Sequence, residues 1–206
     1  MIAVVDYGVN NLKSVVRALE AGGHKATLTT DPDEIRRAGH VVVPGVGNFG
    51  VASRTLATSG LGTAIREAAE QGIPVMGICL GLQLFFSESE EAPGAEGLGI
   101  LPGCVERFAT RLPVPHVGWA RVDLTDAGRA HPMLRRFDGP EAPYFYHVHS
   151  YHPTGLPPES VLGTGEYEHR FPTLVGRDNV IGAQFHPEKS QRAGIDLLAA
   201  FIQWRP

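Results

Sequence analysis

The apolar positions change rhythm along the chain. Ile2–Val5 is a short apolar run that stops at Asp6-Tyr7-Gly8. Leu12, Val15, Val16 and Leu19 then recur at helical spacing, and Gly22-Gly23 closes that pattern. Lys25–Thr29 suits a second strand. Asp31-Pro32 reads as a helix cap followed by proline at the first helical position. Val41–Val43 predicts a buried strand closed by Pro44-Gly45, and Leu61, Ala64, Ile65 and Ala68 predict a helix. Ile73–Ile78 reads as a strand and Leu80–Phe86 as a helix. Strands joined through helices run parallel, with helices covering both faces.

Beyond residue 110 the runs shorten. Leu112–Asp123, Tyr144–Tyr151, Val161–Tyr167, Thr173–Arg177 and Val180–Phe185 are strand-like and separated by turn residues. Arg177-Asp178-Asn179 predicts a hairpin turn. A closing helix presents Ile195, Leu198, Ala199 and Ile202 on one face, with Leu197 and Phe201 beside it. Ser87–Gly99, rich in Glu and Gly, reads as a surface loop. The expected fold is three-layer α/β. It has a mixed, mostly parallel central sheet with helices on both faces, and a smaller antiparallel set of strands in the second half. Residues 1–206 are expected to form a single domain.

Composition narrows the function classes. The net charge is −4 with no basic stripe, which speaks against a nucleic-acid partner. Two cysteines make no disulfide framework, and no apolar stretch approaches the ~20 residues of a membrane span. The start, Met1–Asp6, lacks the basic region of a signal peptide, so the mature chain is expected to begin there, in the cytoplasm.

Gly77-Ile78-Cys79-Leu80-Gly81 sits where the strand pattern gives way to the helix pattern. A nucleophile presented on a sharp strand-to-helix turn needs such glycines, because chain and substrate must approach closely there. A thiolate at that point would meet helix N–H groups, and the Leu80 N–H would be free to hold an oxyanion. The plainer reading is a small buried core residue, and the motif alone leaves both open. Cys104 has no such frame and reads as structural.

A cysteine nucleophile needs a base and a group that orients it. Among nine histidines, His186 stands in Gln184-Phe185-His186-Pro187-Glu188. Pro187 drives His186 toward extended geometry, which puts His186 and Glu188 on one side. The alternative is a surface turn with a solvated glutamate. Pro44-Gly45-Val46-Gly47-Asn48-Phe49-Gly50 formally matches a dinucleotide fingerprint. However, it lies on a later strand and no acid closes the next one. It reads better as a flexible glycine loop whose Val46 or Gly47 N–H completes an oxyanion hole.

Taken together, Pro44–Gly47, Gly77–Gln83 and Gln184–Glu188 resemble the motifs of class I, triad-type glutamine amidotransferases. A narrower resemblance, to the glutaminase subunits of imidazole glycerol phosphate synthases, rests on four further runs. These are Asp6-Tyr7-Gly8 with Asn11-Leu12, Pro115–Trp119, His149-Ser150-Tyr151 and Glu188-Lys189-Ser190. The resemblance implies a triad of Cys79, His186 and Glu188 and an oxyanion hole of Val46, Gly47 and Leu80. It also implies glutamine binding by Gly45, Gln83, Ser150 and Tyr151, with no cofactor and no metal. It further implies a heterodimer with a (β/α)8-barrel cyclase subunit, faced by Asn11, Trp119 and Lys189, which takes up the ammonia. Two positions depart from the family pattern. Ala120 replaces an Asn, removing a hydrogen bond near the interface, and Asn10 replaces a Gly that Asn can mimic at positive φ.

Other features keep blander readings beside these. His147, His149 and His152 suggest a metal site or, more plainly, polar histidines near a cleft. Trp119 suits an interface or a core, and Glu88, Glu90 and Glu91 read as a solvated face. Three functions stay open beside the one implied: a glutaminase serving another synthase, a cysteine hydrolase on a similar sheet, and a non-catalytic interaction protein on the same fold.

Overall fold

The computed structural model describes residues 1–139 and 141–206. Its first half alternates β1 (Ile2–Val5), α1 (Leu12–Ala21), β2 (Ala26–Thr29), α2 (Pro32–Arg36) and β3 (His40–Val43). Next come α3 (Phe49–Ser59), α4 (Leu61–Glu70), β4 (Val75–Ile78) and α5 (Leu80–Gln83). The second half carries β5 (Cys104–Arg107), β6 (His116–Arg121), β7 (Asp123–Leu124), α6 (Asp126–Ala130), β8 (Tyr144–His149) and β9 (Tyr151–Thr154). It ends with β10 (Val161–Tyr167), β11 (His169–Arg177), β12 (Val180–Ala183) and α7 (Gln191–Gln203).

Eight strands form one sheet in the order β2-β1-β3-β4-β12-β11-β10-β7. The pairings from β2 through β12 are parallel, and those from β12 to β7 are antiparallel. This is the expected mixed sheet. Strands β1, β3, β4 and β12 are buried at every residue, because helices cover both faces. Ala3 and Val5 point into one apolar layer with residues of α2, α3 and α4, whereas Ile2 and Val4 join α1 and α7 in the other. The Asp31 carboxylate accepts from the Asp33 N–H at 2.8 Å, with Pro32 at the first turn, as the cap pattern required. The β11–β12 hairpin turns through Asp178 at φ 53.

Helix α3 is absent from the sequence reading. Its buried face is Phe49, Gly50, Ala52, Ser53 and Leu56, too small and polar to stand out as an apolar stripe. Its cap is legible in retrospect, since the Asn48 side chain accepts from the Val51 N–H at 3.1 Å. Helix α5 is shorter than expected. The carbonyls of Leu84 and Phe85 accept from Leu98, Ile100 and Leu101 N–H groups, so the helix stops after one turn. Leu84, Phe85 and Phe86 are nonetheless fully buried. In α7 the buried stripe runs through Gly194, Leu197, Leu198 and Phe201; Ile195 and Ala199 are only partly covered.

The two strand-like runs around residues 112–151 divide more finely than their pattern suggested. β6 pairs with β8 as one antiparallel ribbon, and β5 pairs with β9 as another, with the break at Ser150. Ser150 O accepts instead from the Phe108 N–H. Among the described residues, no helix is long and apolar enough to cross a membrane.

Candidate active site

Cys79 follows β4 and precedes α5, with φ 52 and ψ −108. That left-handed backbone is strained for a residue with a Cβ, and the surroundings hold it. The Cys79 N–H donates to Ala183 O on the adjacent strand at 2.8 Å. A Cβ at Gly77 would lie 2.7 Å from the Leu82 backbone, and one at Gly81 would collide with Val43 O. Both glycines are therefore needed for the turn to fold back on the sheet. Because α5 is a single turn, a thiolate here would be served by a few nearby N–H groups rather than by a long helix dipole.

His186 lies just beyond β12, next to β4, and its N–H donates to Tyr146 O at 2.8 Å. Its Nδ1 is 2.8 Å from Glu188 Oε1, and both side chains are 1% exposed. A carboxylate only accepts, so Nδ1 carries the proton and Nε2 is the free edge. Nε2 is buried with no hydrogen-bond partner among the described residues, and Glu188 Oε2 is in the same condition. Burial resists protonation of His186. The neighbouring Cys79 and the hydrogen-bonded Glu188 outweigh it and push the imidazole up to about 10.

A cleft of about 280 Å³ opens over the sulfur. Val46, Gly47, Cys79, Leu80, Gln83, Ser150 and Tyr151 line it, together with Glu91, Pro115, Val148 and His149. Gly45 lies outside this cleft, in a narrow crevice with Asn11, His186 and Glu188. Leu80 corrects the sequence expectation: its N–H is not free but donates to Gly45 O at 3.3 Å. The Pro44–Gly45 segment is held from below by Tyr7, whose hydroxyl donates to Pro44 O at 2.7 Å. Burial, then the proximity of Cys79, raises the Tyr7 phenol and keeps it a donor. No side chain would fit at Gly45, where a Cβ would strike the Tyr7 hydroxyl.

Asn11, assigned above to a partner surface, also reaches the buried pair. It caps α1 at φ 72 and its Nδ2 donates to Glu188 Oε1 at 2.6 Å. Trp119 is 47% exposed, which excludes the core reading. It stands beside Tyr146 on the outer face of the β6–β8 ribbon, with Lys189 Nζ 5.8 Å from the Tyr146 ring centre. Ala120 points the other way: it is buried opposite Phe145, so its departure from the family pattern falls on the inner face. Positive φ falls on Asn11 and not on Asn10, so Asn10 has no left-handed backbone to mimic.

Glu88 and Glu90 are exposed, as the solvated-face reading expected, whereas Glu91 is partly covered. Glu90 Oε2 accepts from the Arg107 N–H at 2.8 Å, and Glu91 Oε2 accepts from the Phe49 N–H at 2.7 Å. Glu91 is thereby fixed at the rim of the cleft by the start of α3, the helix the sequence pattern concealed. His147, His149 and His152 each bond to oxygen atoms of their own neighbourhood. His147 Nε2 lies 2.8 Å from Thr173 Oγ1, His149 Nδ1 2.9 Å from Tyr151 O and His152 Nδ1 3.1 Å from Pro153 O. Cys104 is free and lies 3.3 Å from Thr154 Oγ1, away from the cleft.

The family model for class-I glutamine amidotransferases matches residues 3–204. The chain belongs to the class-I glutamine amidotransferase family. Among curated relatives, the imidazole glycerol phosphate synthase subunit HisH of Symbiobacterium thermophilum is 45% identical over 199 residues, covering 96% of this chain and 91% of that protein. The subunit of the same name from Moorella thermoacetica is 46% identical over 200 residues, covering 97% and 93%. A solved glutamine amidotransferase superposes with a TM-score of 0.75 at 20% identity over 97% of this chain and 99% of its own. That last likeness bears on the fold alone.

Proposed function

We propose that this chain is the glutaminase subunit of imidazole glycerol phosphate synthase, with residues 1–206 acting as one domain. It hydrolyses glutamine to glutamate and ammonia. The ammonia passes to a (β/α)8-barrel cyclase subunit that makes imidazole glycerol phosphate in histidine biosynthesis. One observation carries the glutaminase reading. A cysteine on a strained strand-to-helix turn shares a neighbourhood with a buried His–Glu pair beside an open cleft. The identity to subunits of the named synthase supports the choice of synthase.

Cys79 attacks the side-chain amide carbon of glutamine. His186 hands a proton from Nε2 to the leaving ammonia, and Glu188 holds the imidazole in the tautomer that this requires. Water, deprotonated by His186, then releases glutamate from the thioester. Gln83, Ser150 and Tyr151, which line the cleft, hold the substrate, and Glu91 offers its carboxylate to the α-ammonium group; Gly45, set outside the cleft, reaches the substrate only once its bond to the Leu80 N–H opens. The oxyanion is held by N–H groups of Leu80, Val46 and Gly47. The Leu80 bond to Gly45 O must open first, and in this reading docking of the cyclase releases it. Asn11, Trp119 and Lys189 face the cyclase, and Asn11 links that face to Glu188 through its hydrogen bond.

The test is glutamate release by the purified chain, alone and with the cyclase. Weak turnover alone and strong turnover in the complex are expected. No glutamate in the presence of the cyclase overturns the reading. Cys79→Ala is expected to abolish turnover while the complex still elutes intact by size exclusion.

A further inference from the structure

The cavity that exposes Cys79 has a second buried amide behind it, one that the hydrolytic steps above do not use. We propose that Gln184 is a positioning residue: its side-chain amide donates to the Cys79 sulfur, favours the thiolate and aims it into the cleft. This rests on the reading of Cys79 as nucleophile.

The direction of that amide follows from a chain of one-way partners. Tyr151 O is a carbonyl and can only accept. Gln83 Nε2 donates to it at 3.2 Å, so Gln83 presents its NH2 end on this side. The same Gln83 Nε2 donates to Gln184 Oε1 at 3.2 Å, which fixes the Gln184 carbonyl toward Gln83. The remaining end of Gln184, its NH2, then faces Cys79 Sγ at 3.8 Å, within the longer reach of a hydrogen bond to sulfur. Gln184 is fully buried and its backbone N–H is tied to Thr173 O at 2.8 Å, so its side chain is enclosed by protein.

One oxygen and one nitrogen atom flank the sulfur with opposite preferences. Val148 O, at 4.0 Å, can accept only from a protonated thiol. The Gln184 NH2 stabilises the deprotonated form, because a donor to a charged group favours the charge. A neutral amide achieves this without adding a second cation beside His186, and so leaves the imidazole free to trade its proton.

The experiment is the rate of Cys79 alkylation by iodoacetamide against pH. Peptide mass mapping separates Cys79 from Cys104, and the Cys79→Ala chain serves as blank. Gln184→Met removes the donor at similar length, and Gln184→Glu replaces it with an acceptor. In both, the alkylation midpoint is expected to move up by about one pH unit, an approximately tenfold slower reaction at pH below the midpoint. The glutamine KM is expected to change less than kcat. An unchanged midpoint in folded Gln184→Met reduces Gln184 to packing and overturns the proposal. Should both variants fail to fold, the wild-type chain decides: the Gln184 side-chain N–H resonances must shift as Cys79 titrates, and fixed resonances refute the contact. Alkylation needs no turnover, so a chain that fails to hydrolyse glutamine with the cyclase defeats the glutaminase reading while this measurement still reports on Gln184.

Discussion

Two groups of buried histidines occupy neighbouring parts of this molecule and hold their protons in opposite ways. His186 is 1% exposed beside Glu188, and its pKa is pushed up to about 10. His147, fully buried on β8, is driven down to about 3 by burial and then by His116, with which it stacks at 5.0 Å. His149, two residues on, lies well below its ordinary value, again through burial and the neighbouring His147. The surroundings of the second group are Phe108, Phe171, Tyr167, Thr173 and other imidazoles, and among the described residues no carboxylate is hydrogen-bonded to His147 or His149. Burial alone thus removes charge from a histidine. The adjoining Cys79, then a carboxylate at 2.8 Å, reverse the outcome, and the reversed histidine keeps a proton that it can pass to a leaving amine.

Erasing the difference between the two groups is expected to have the largest effect. Glu188→Gln leaves His186 buried without its anionic partner and with its tautomer no longer enforced. Glutamate release by the complex is expected to fall by about 10³-fold or more, as for orienting carboxylates elsewhere. Stability shifts too. The raised His186 pKa contributes stability that is present below about pH 6.5 and lost as pH rises through about 10. Cys79 is the larger of the two raising influences and stays in place, so Glu188→Gln should reduce that alkaline decline in a pH series of thermal melts without abolishing it.

A smaller effect is expected on the outer face of the ribbon whose inner face carries the neutral histidines. Trp119→Ala removes an exposed aromatic ring there, and is expected to weaken cyclase binding by about 2 kcal/mol. Glutamine hydrolysis by the isolated chain should be unchanged, measured beside a titration calorimetry isotherm. If the isotherm is also unchanged, the outer face is not the docking face.

The smallest effect concerns the neutral group itself. Histidines held below their unfolded pKa give stability that is present above about pH 6.5 and lost as pH falls toward the folded value. For His147 this costs about 1.4 kcal/mol per pH unit below 6.5, or roughly 3–6 °C in Tm. His147→Gln, which keeps a partner for Thr173 Oγ1, should flatten the Tm profile between pH 6.5 and 4. An unchanged slope would locate acid sensitivity elsewhere.

Much of this was legible from local pattern. The parallel strands β1, β3 and β4 are continuous apolar runs because both faces are covered, and such runs need no tertiary knowledge to be seen. Gly77 and Gly81 announced a tight turn because only a missing Cβ lets that turn close. Other features were hidden for physical reasons. Helix α3 packs through Gly50, Ala52 and Ser53, which carry little hydrophobic signal. Glu91 looked solvated because its partner, the Phe49 N–H, is 42 residues away in sequence. Leu80 looked free to bind an oxyanion because nothing local shows that Gly45 O lies 3.3 Å from its N–H.

The sequence by itself determined the alternation of strands and helices, the turn that exposes Cys79 and the pairing of His186 with Glu188. These rest on residues at most a few positions apart, where backbone geometry alone sets what side chains can do. Only the tertiary structure decided which N–H is occupied, which histidines are stripped of charge and which way the Gln184 amide points. Those depend on atoms brought together across the sheet, through burial and hydrogen-bond direction, and neither is written in local spacing.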